Sequence, residues 1–198
     1  SRLAYLINGI TPPSNTPERL DDAFGNALAQ YSLRLNDVVS RYSLFINRGE
    51  NESPEHFRLK AFTYHYLVKS RFNGRLEDSL NQIRTEYQAC DGVWADVEVN
   101  NEVYEVETLF GEGAFGFKKI QETIMKYRGC GVSKVHVVLE PLTATMHLSE
   151  LWSIMRHINT LKKRDILSFD VSIEIIDANS EELIPLRDFA RRLGEALP

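Results

Sequence analysis

From Leu20 onward, apolar side chains at Phe24, Leu28, Tyr31, Leu35, Val38, Tyr42 and Phe45 keep helical spacing for about thirty residues. This pattern predicts one long amphipathic helix. Thr16 and Pro17 give it a start, a capping hydroxyl followed by proline at the first position. The polar stretch "NRGENES" (47–53) ends the run, and Ser53-Pro54 opens a second helix to about Phe72, with Leu59, Phe62 and Tyr66 on one face. "FNGR" breaks that helix. A short stretch over 76–82 leads to three runs, "IRTEYQA", "VWADVEV" and "EVYEVETL", whose period of two predicts strands. A helix over 115–128, a strand over 134–140, a helix over 148–163 and a strand over 168–176 follow. A last helix starts near Leu183 with Pro185 in its first turn. From residue 54 the order α-β-β-β-α-β-α-β-α predicts an α/β fold with a mixed sheet flanked by helices, its first strands joined as hairpins. Residues 1–50 are then an N-terminal helical extension and residues 51–198 the main domain.

Composition narrows the classes. The 198 residues, 43% of them hydrophobic, suffice for one domain with a real core. No apolar run reaches the roughly eighteen residues of a membrane span, and no signal-peptide pattern opens the chain, so a cytoplasmic protein with no membrane partner is expected. Cys90 and Cys130 lack any zinc or CxxC spacing and read as two buried free thiols in a reducing compartment. The net charge of −5 argues against a general nucleic-acid coat protein. It leaves room for local basic surface at Lys69–Arg75, Lys162-Lys163-Arg164 and Arg191-Arg192, each of which alone reads as solvated surface. The long N-terminal helix would lie on the core, serve as a homodimer arm, or link to a further domain.

Gly111, Gly113 and Gly116 fit a dinucleotide-binding fingerprint, and "GEGAFG" also looks like the glycine-rich loop of kinases. The preceding strand argues against the first reading. A Rossmann first strand is buried on both faces and nearly all Val/Ile/Leu, whereas Glu105 and Glu107 interrupt this one. The kinase reading lacks the lysine strand, the His-Arg-Asp and the Asp-Phe-Gly that it requires. A glycine-rich turn into a helix accounts for the letters.

The chemistry lies just upstream. Asn100 and Asn101 separate two alternating runs, and asparagine tolerates the left-handed backbone of a tight hairpin. With those two as the turn, Asp96 lies opposite Glu105, Glu98 opposite Val103, and Trp94 opposite Glu107. One face then carries Asp96, Glu98, Glu105 and Glu107, and the other Ala95, Val97, Tyr104 and Val106. Like charges directly opposite destabilise a sheet, and this patch has four carboxylates and no cation. A hard divalent cation is one use for it, and an exposed acidic sheet face is the other. Glu55, in the first turn of the second helix and in line with Leu59 and Phe62, points toward the sheet. There it either joins the carboxylates or simply complements the helix dipole.

These residues in this order resemble the PD-(D/E)xK nuclease superfamily, the restriction-endonuclease-like fold, whose αβββαβ core residues 54–140 match. The resemblance implies that Glu55 is the helix acid, Asp96 the strand aspartate, and Glu105-Val106-Glu107 the (D/E)xK element in a Glu-x-Glu form. Glu107 stands where the family usually has lysine, and in some members that lysine lies on the following helix, where Lys118 or Lys119 would serve. Asp91 is a rival for the strand aspartate, on the other face by register. Gln121 and Tyr127 bear a faint likeness to a helix motif of RecB-like members. The function implied is a Mg²⁺- or Mn²⁺-dependent endonuclease acting on nucleic acid, DNA before RNA. Asp96, Glu105 and Glu55 would hold the metal, and Glu107 or Lys119 would orient water. The alternative is a catalytically inactive nuclease-like module that binds nucleic acid or protein.

Overall fold

Ser53 caps the helix that organises the molecule. Its hydroxyl accepts the amide of His56 at 3.1 Å, Pro54 takes the first helical position, and α3 runs Pro54–Arg71. The computed structural model describes residues 2–14, 19–108 and 116–196. Within them α1 (Arg2–Leu6), α2 (Leu20–Tyr42) with a 3₁₀ turn at Ser43–Phe45, α3 and α4 (Leu76–Ser79) precede the sheet. Then come β1 (Arg84–Cys90), β2 (Val93–Val99), β3 (Glu102–Glu107), α5 (Gly116–Met125), β4 (Lys134–Leu139), α6 (Pro141–Met146), α7 (Leu148–Lys163), β5 (Asp170–Asp177), β6 (Glu182–Pro185) and α8 (Leu186–Ala196).

The six strands form one mixed sheet in chain order, β1-β2-β3-β4-β5-β6. β1, β2 and β3 are antiparallel, β4 and β5 continue parallel to β3, and β6 returns antiparallel to β5. One buried cluster joins Val97, Val99, Tyr104, Val106, Val138 and Ile176 to α2 and α3. The opposite face joins Val103, Val135, Val137, Leu139, Ile173 and Ile175 to α5, α7 and α8. α2 contributes Ala23, Ala27, Tyr31, Leu35 and Val38 to the first cluster, so the segment expected as an extension shares its core with the sheet. The fold is therefore mixed α/β with flanking helices and a long N-terminal helix.

α3 lies between α2 and the sheet and is buried on nearly every side, from Phe57 through Val68. Its expected single apolar stripe was too narrow, and Tyr66 on that stripe is only half-buried. On α2 and the 3₁₀ turn after it the stripe slips the other way, leaving Leu28 and Phe45 exposed while small alanines of α2 take the contact. The start expected at Thr16-Pro17 lies outside the described residues.

Two further expectations are corrected. The last helix does not begin near Leu183: Leu183 and Ile184 are buried in β6, and Pro185 ends that strand. The turn before it explains why. Asp177 Oδ1 accepts the amides of Asn179 and Ser180, each at 3.1 Å, and Glu181 is left-handed (φ 56°), which folds the chain back onto β5. The cysteines are not free thiols. A disulfide joins Cys90, at the end of β1, to Cys130 after α5. Among the described residues no helix is long and apolar enough to cross a membrane.

Both sheet edges are irregular. In β1, Glu86 has a positive φ of 50° and the register to β2 shifts between Gln88 and Cys90. At the other edge, β6 has only four residues.

Candidate active site between β2, β3 and the start of α3

The β2–β3 hairpin forms in the register that its asparagines imply. Val97 pairs with Tyr104, Glu98 with Val103 and Val99 with Glu102. Asn100 and Asn101 both have positive φ (51° and 64°), as a tight two-residue turn of this hand requires. Asp91, the rival aspartate, is exposed in the β1–β2 turn beside Gly92 (φ 71°).

The alternation of faces breaks at Asp96. Ala95 packs in the cluster under α5, while Val97 packs in the cluster under α3. Pairing to β1 skips the same place: Thr85 meets Val97 and Tyr87 meets Ala95, with left-handed Glu86 between. Asp96 therefore leaves the face assigned to it by simple alternation. Its Oδ2 accepts the backbone N–H of Val106 at 2.7 Å and lies 3.3 Å from His56 Nε2 at the start of α3. Its Oδ1 accepts no hydrogen bond from the described residues.

Behind Asp96 stands a line of charges that sequence reading missed. His56 Nδ1 donates to Glu52 Oε1 at 2.6 Å, and Lys60 Nζ lies 2.7 Å from the same oxygen and 2.6 Å from Glu86 Oε1. Lys60 is wholly buried. Burial pulls the His56 imidazole down, but its bonds to Asp96 and Glu52 outweigh that and raise it to about 9. The signal was present: Glu52, His56 and Lys60 stand four apart, one stripe running from just before the helix cap into α3. Glu52 and His56, with Ser53 and Thr108, border a hollow of about 410 Å³ that also contains Asp96 and Glu86.

Glu105 and Glu107 face α5 and are buried. The Tyr127 hydroxyl donates to Glu105 Oε1, and Lys126 Nζ donates to Oε2 at 2.9 Å. Both donors also reach the Trp94 carbonyl. Burial, with the Asp96 charge second, pushes the Glu105 carboxyl up to about 8, against the lowering pull of Lys126 and Tyr127. Glu107 accepts the Thr123 hydroxyl at 2.5 Å and pairs with Lys119 at 3.4 Å. Lys119, rather than Lys118, which pairs with Glu122, thus meets the Glu-x-Glu element.

The patch of four carboxylates without a cation is corrected by these partners. Arg84 Nε donates to buried Glu98 at 2.6 Å, and Lys126, Lys119 and His56 serve the other three. These cations come from β1, from the start of α3 and from α5 with the residue after it, so the hairpin sequence alone did not reveal them. Glu55 departs from the expected group. Arg58 holds it at 2.8 Å, and it neighbours Glu140, the residue after β4, whose carboxyl burial first and Glu55 second push up to about 7. Glu55 and Glu140 line a neighbouring cavity of about 560 Å³, which meets the Asp96 hollow at Ser53 and Thr108. Among the described residues no group of three or more His, Cys, Asp or Glu side chains converges to hold a metal.

The expected basic surface at Lys69–Arg75 lies at the far end of α3, about three turns or more from His56. Lys69 donates to the Ser180 carbonyl, Arg71 pairs with Glu102, and Arg75 pairs with Asp78. Gly111 and Gly113 of the glycine-rich segment lie outside the described residues, and Gly116 begins α5. Comparison with protein families, characterised proteins and solved structures finds no match to this chain.

Proposed function

We propose that the protein is a metal-dependent phosphodiesterase of nucleic acid, with a restriction-endonuclease-like core and DNA as its substrate. One observation carries the reading. A capped helix leads into an antiparallel β1-β2-β3 meander, a crossover helix and a strand parallel to β3, and Asp96 and Glu105 fall on neighbouring strands of that meander.

The donor chemistry fits Mg²⁺ or Mn²⁺ at Asp96 and Glu105, and does not fit a cluster of all four expected acids. Both are hard oxygen donors, and Oδ1 of Asp96 accepts no hydrogen bond from the described residues. Such an ion, when bound, lowers the pKa of its water and offsets charge on the phosphate.

The rest falls to the chain itself. Tyr127 and Lys126 fix the orientation of Glu105 from the turn that follows α5. His56 keeps its proton near neutrality and offers a hydrogen-bond donor beside Asp96. Lys119 stands against Glu107, supplying the cation that the Glu-x-Glu sequence itself lacks.

A nuclease-like binding module without catalysis has an observation of its own. Both oxygens of Glu105 and both of Glu107 already meet a hydroxyl or an ammonium group. Incubating supercoiled and single-stranded DNA with Mg²⁺ or Mn²⁺ decides between the two. The phosphodiesterase reading expects nicking by the wild type that disappears in Asp96→Ala and Glu105→Ala. Cleavage undiminished in both variants, or none by the wild type, removes it, and DNA retention without cleavage leaves the binding module.

A further inference from the structure

Trp94 is 51% exposed, although it is the second residue of β2 and its neighbour Ala95 is packed in the core. Its backbone is firmly held. The Trp94 carbonyl accepts Lys126 Nζ at 2.9 Å and the Tyr127 hydroxyl at 3.2 Å, the same two donors that hold Glu105. Tyr127 is wholly buried, and the disulfide ties Cys90, the ladder partner of Val93, to the turn that carries both donors. A large flat side chain is thus mounted on a fixed support beside the candidate site.

Its surroundings are polar and open. Gln88, its partner across the β1–β2 ladder, is exposed. A Cβ at Gly92, two residues before it, would meet no atom within 4 Å beyond its chain neighbours. Lys126 and Arg128, in the turn after α5, are exposed as well. A lone indole among such groups lacks the contiguous apolar patch that marks a protein interface. It suits a flat ring that carries negative charge.

We propose that Trp94 is the stacking platform for an unpaired base of single-stranded nucleic acid, an inference that rests on the phosphodiesterase reading. The backbone of that strand passes Lys126 and Arg128, whose charges complement its phosphates. Two residues of extended strand, at most about 7 Å, separate Trp94 from Asp96. That is the reach of one nucleotide, so a base on the indole leaves a neighbouring phosphodiester at Asp96 and Glu105. Every base has a π face, which makes such a platform tolerant of sequence. Inside a duplex both faces of a base are covered by its neighbours, so the indole selects unpaired strands.

The test reads stacking apart from cleavage. Trp152→Phe leaves Trp94 as the one indole of the chain, and this protein is titrated in EDTA at low salt. The titrants are a short oligothymidylate, an abasic strand of the same length, and a blunt duplex. Oligothymidylate is expected to quench Trp94 emission and to bind at least fivefold more tightly than the abasic strand, the worth of one stacked base. Followed by anisotropy of labelled strands, Trp94→Ala should lose that factor and Trp94→Phe should keep most of it, while the abasic strand binds all three alike. The duplex should leave the emission unchanged and be indifferent to Trp94→Ala. No binding of oligothymidylate, equal affinity for the abasic strand, or affinity unchanged in Trp94→Ala overturns the proposal. So does a duplex that quenches Trp94 and depends on it to the same degree. A second arm adds Mg²⁺ or Mn²⁺ and follows cleavage of the oligothymidylate. Binding that depends on Trp94 without any cleavage keeps the platform and removes the phosphodiesterase. Cleavage with KM unchanged in Trp94→Ala does the reverse.

Discussion

The carboxylate of Asp96 accepts the backbone N–H of Val106 at 2.7 Å, taking up an amide of β3 just beyond the last regular pair of the hairpin, Val97–Tyr104. A side chain thus does the work of a ladder bond, and the two strands part where the candidate chemistry sits. Asp96→Asn keeps an oxygen for that amide, whereas Asp96→Ala leaves it buried and unpaired, at a cost of roughly 1–3 kcal/mol. Urea denaturation should therefore place Asn close to wild type and Ala well below it, while DNA nicking vanishes in both. Equal stability of the two variants would show that the amide finds another partner.

Lys60 is buried between Glu52 and Glu86. Truncating one member of a buried ion pair leaves the other uncompensated, which typically costs roughly 3–5 kcal/mol. Lys60→Met should lower the denaturation midpoint by a corresponding amount, and Glu86→Gln in that background should recover part of the loss. A Lys60→Met protein as stable as wild type would mean that solvent already reaches the two carboxylates.

Alkaline pH should weaken the fold. His56 is raised above its ordinary value to about 9, so its stabilisation is complete below the unfolded value near 6.5 and lost as pH rises through 9. Glu105 is raised to about 8, so the folded state binds more protons than the unfolded chain between about 4.5 and 8, and it too loses stability across that window. Unfolding free energy measured at pH 6 and pH 9 should fall in wild type and fall less in Glu105→Gln and His56→Gln. A flat profile in wild type would contradict both assignments.

The disulfide closes a loop with a sequence separation of 40 between the end of β1 and the segment after α5. Reduction, or Cys90→Ser, should lower stability by roughly 2–4 kcal/mol through the entropy returned to the unfolded chain. Because Lys126 and Tyr127, which bond the Trp94 carbonyl, stand four and three residues before Cys130, Trp94 fluorescence should shift as well. Thermal unfolding with and without dithiothreitol reads both effects.

Local signals announced themselves well. Asn100-Asn101 set the hairpin register, Ser53-Pro54 set the start of α3, and α7 runs over the span its periodicity marked. What depends on neighbours did not. β6 looks helical in isolation because Leu183 and Ile184 are apolar beside a proline, and only pairing with β5 makes them a strand. The acids of the hairpin were legible, but their partners were not. Lys126, Lys119 and Arg84 reach them from other elements, and the break at Asp96 comes from Glu86 across the sheet, which no count of alternating positions along β2 contains. Glu140 closes the strand expected over 134–140, and its place beside Glu55 requires β4 to lie next to the start of α3.

The left-handed kink at Glu86, with the shifted register after it, bends the row of outward amides on β1, and β6 is short and ends in a residue without an amide hydrogen. Neither border of the sheet offers a straight template on which another strand could add. Fibrous growth by strand accretion is blocked at both margins, so any companion molecule has to be met by helices and loops.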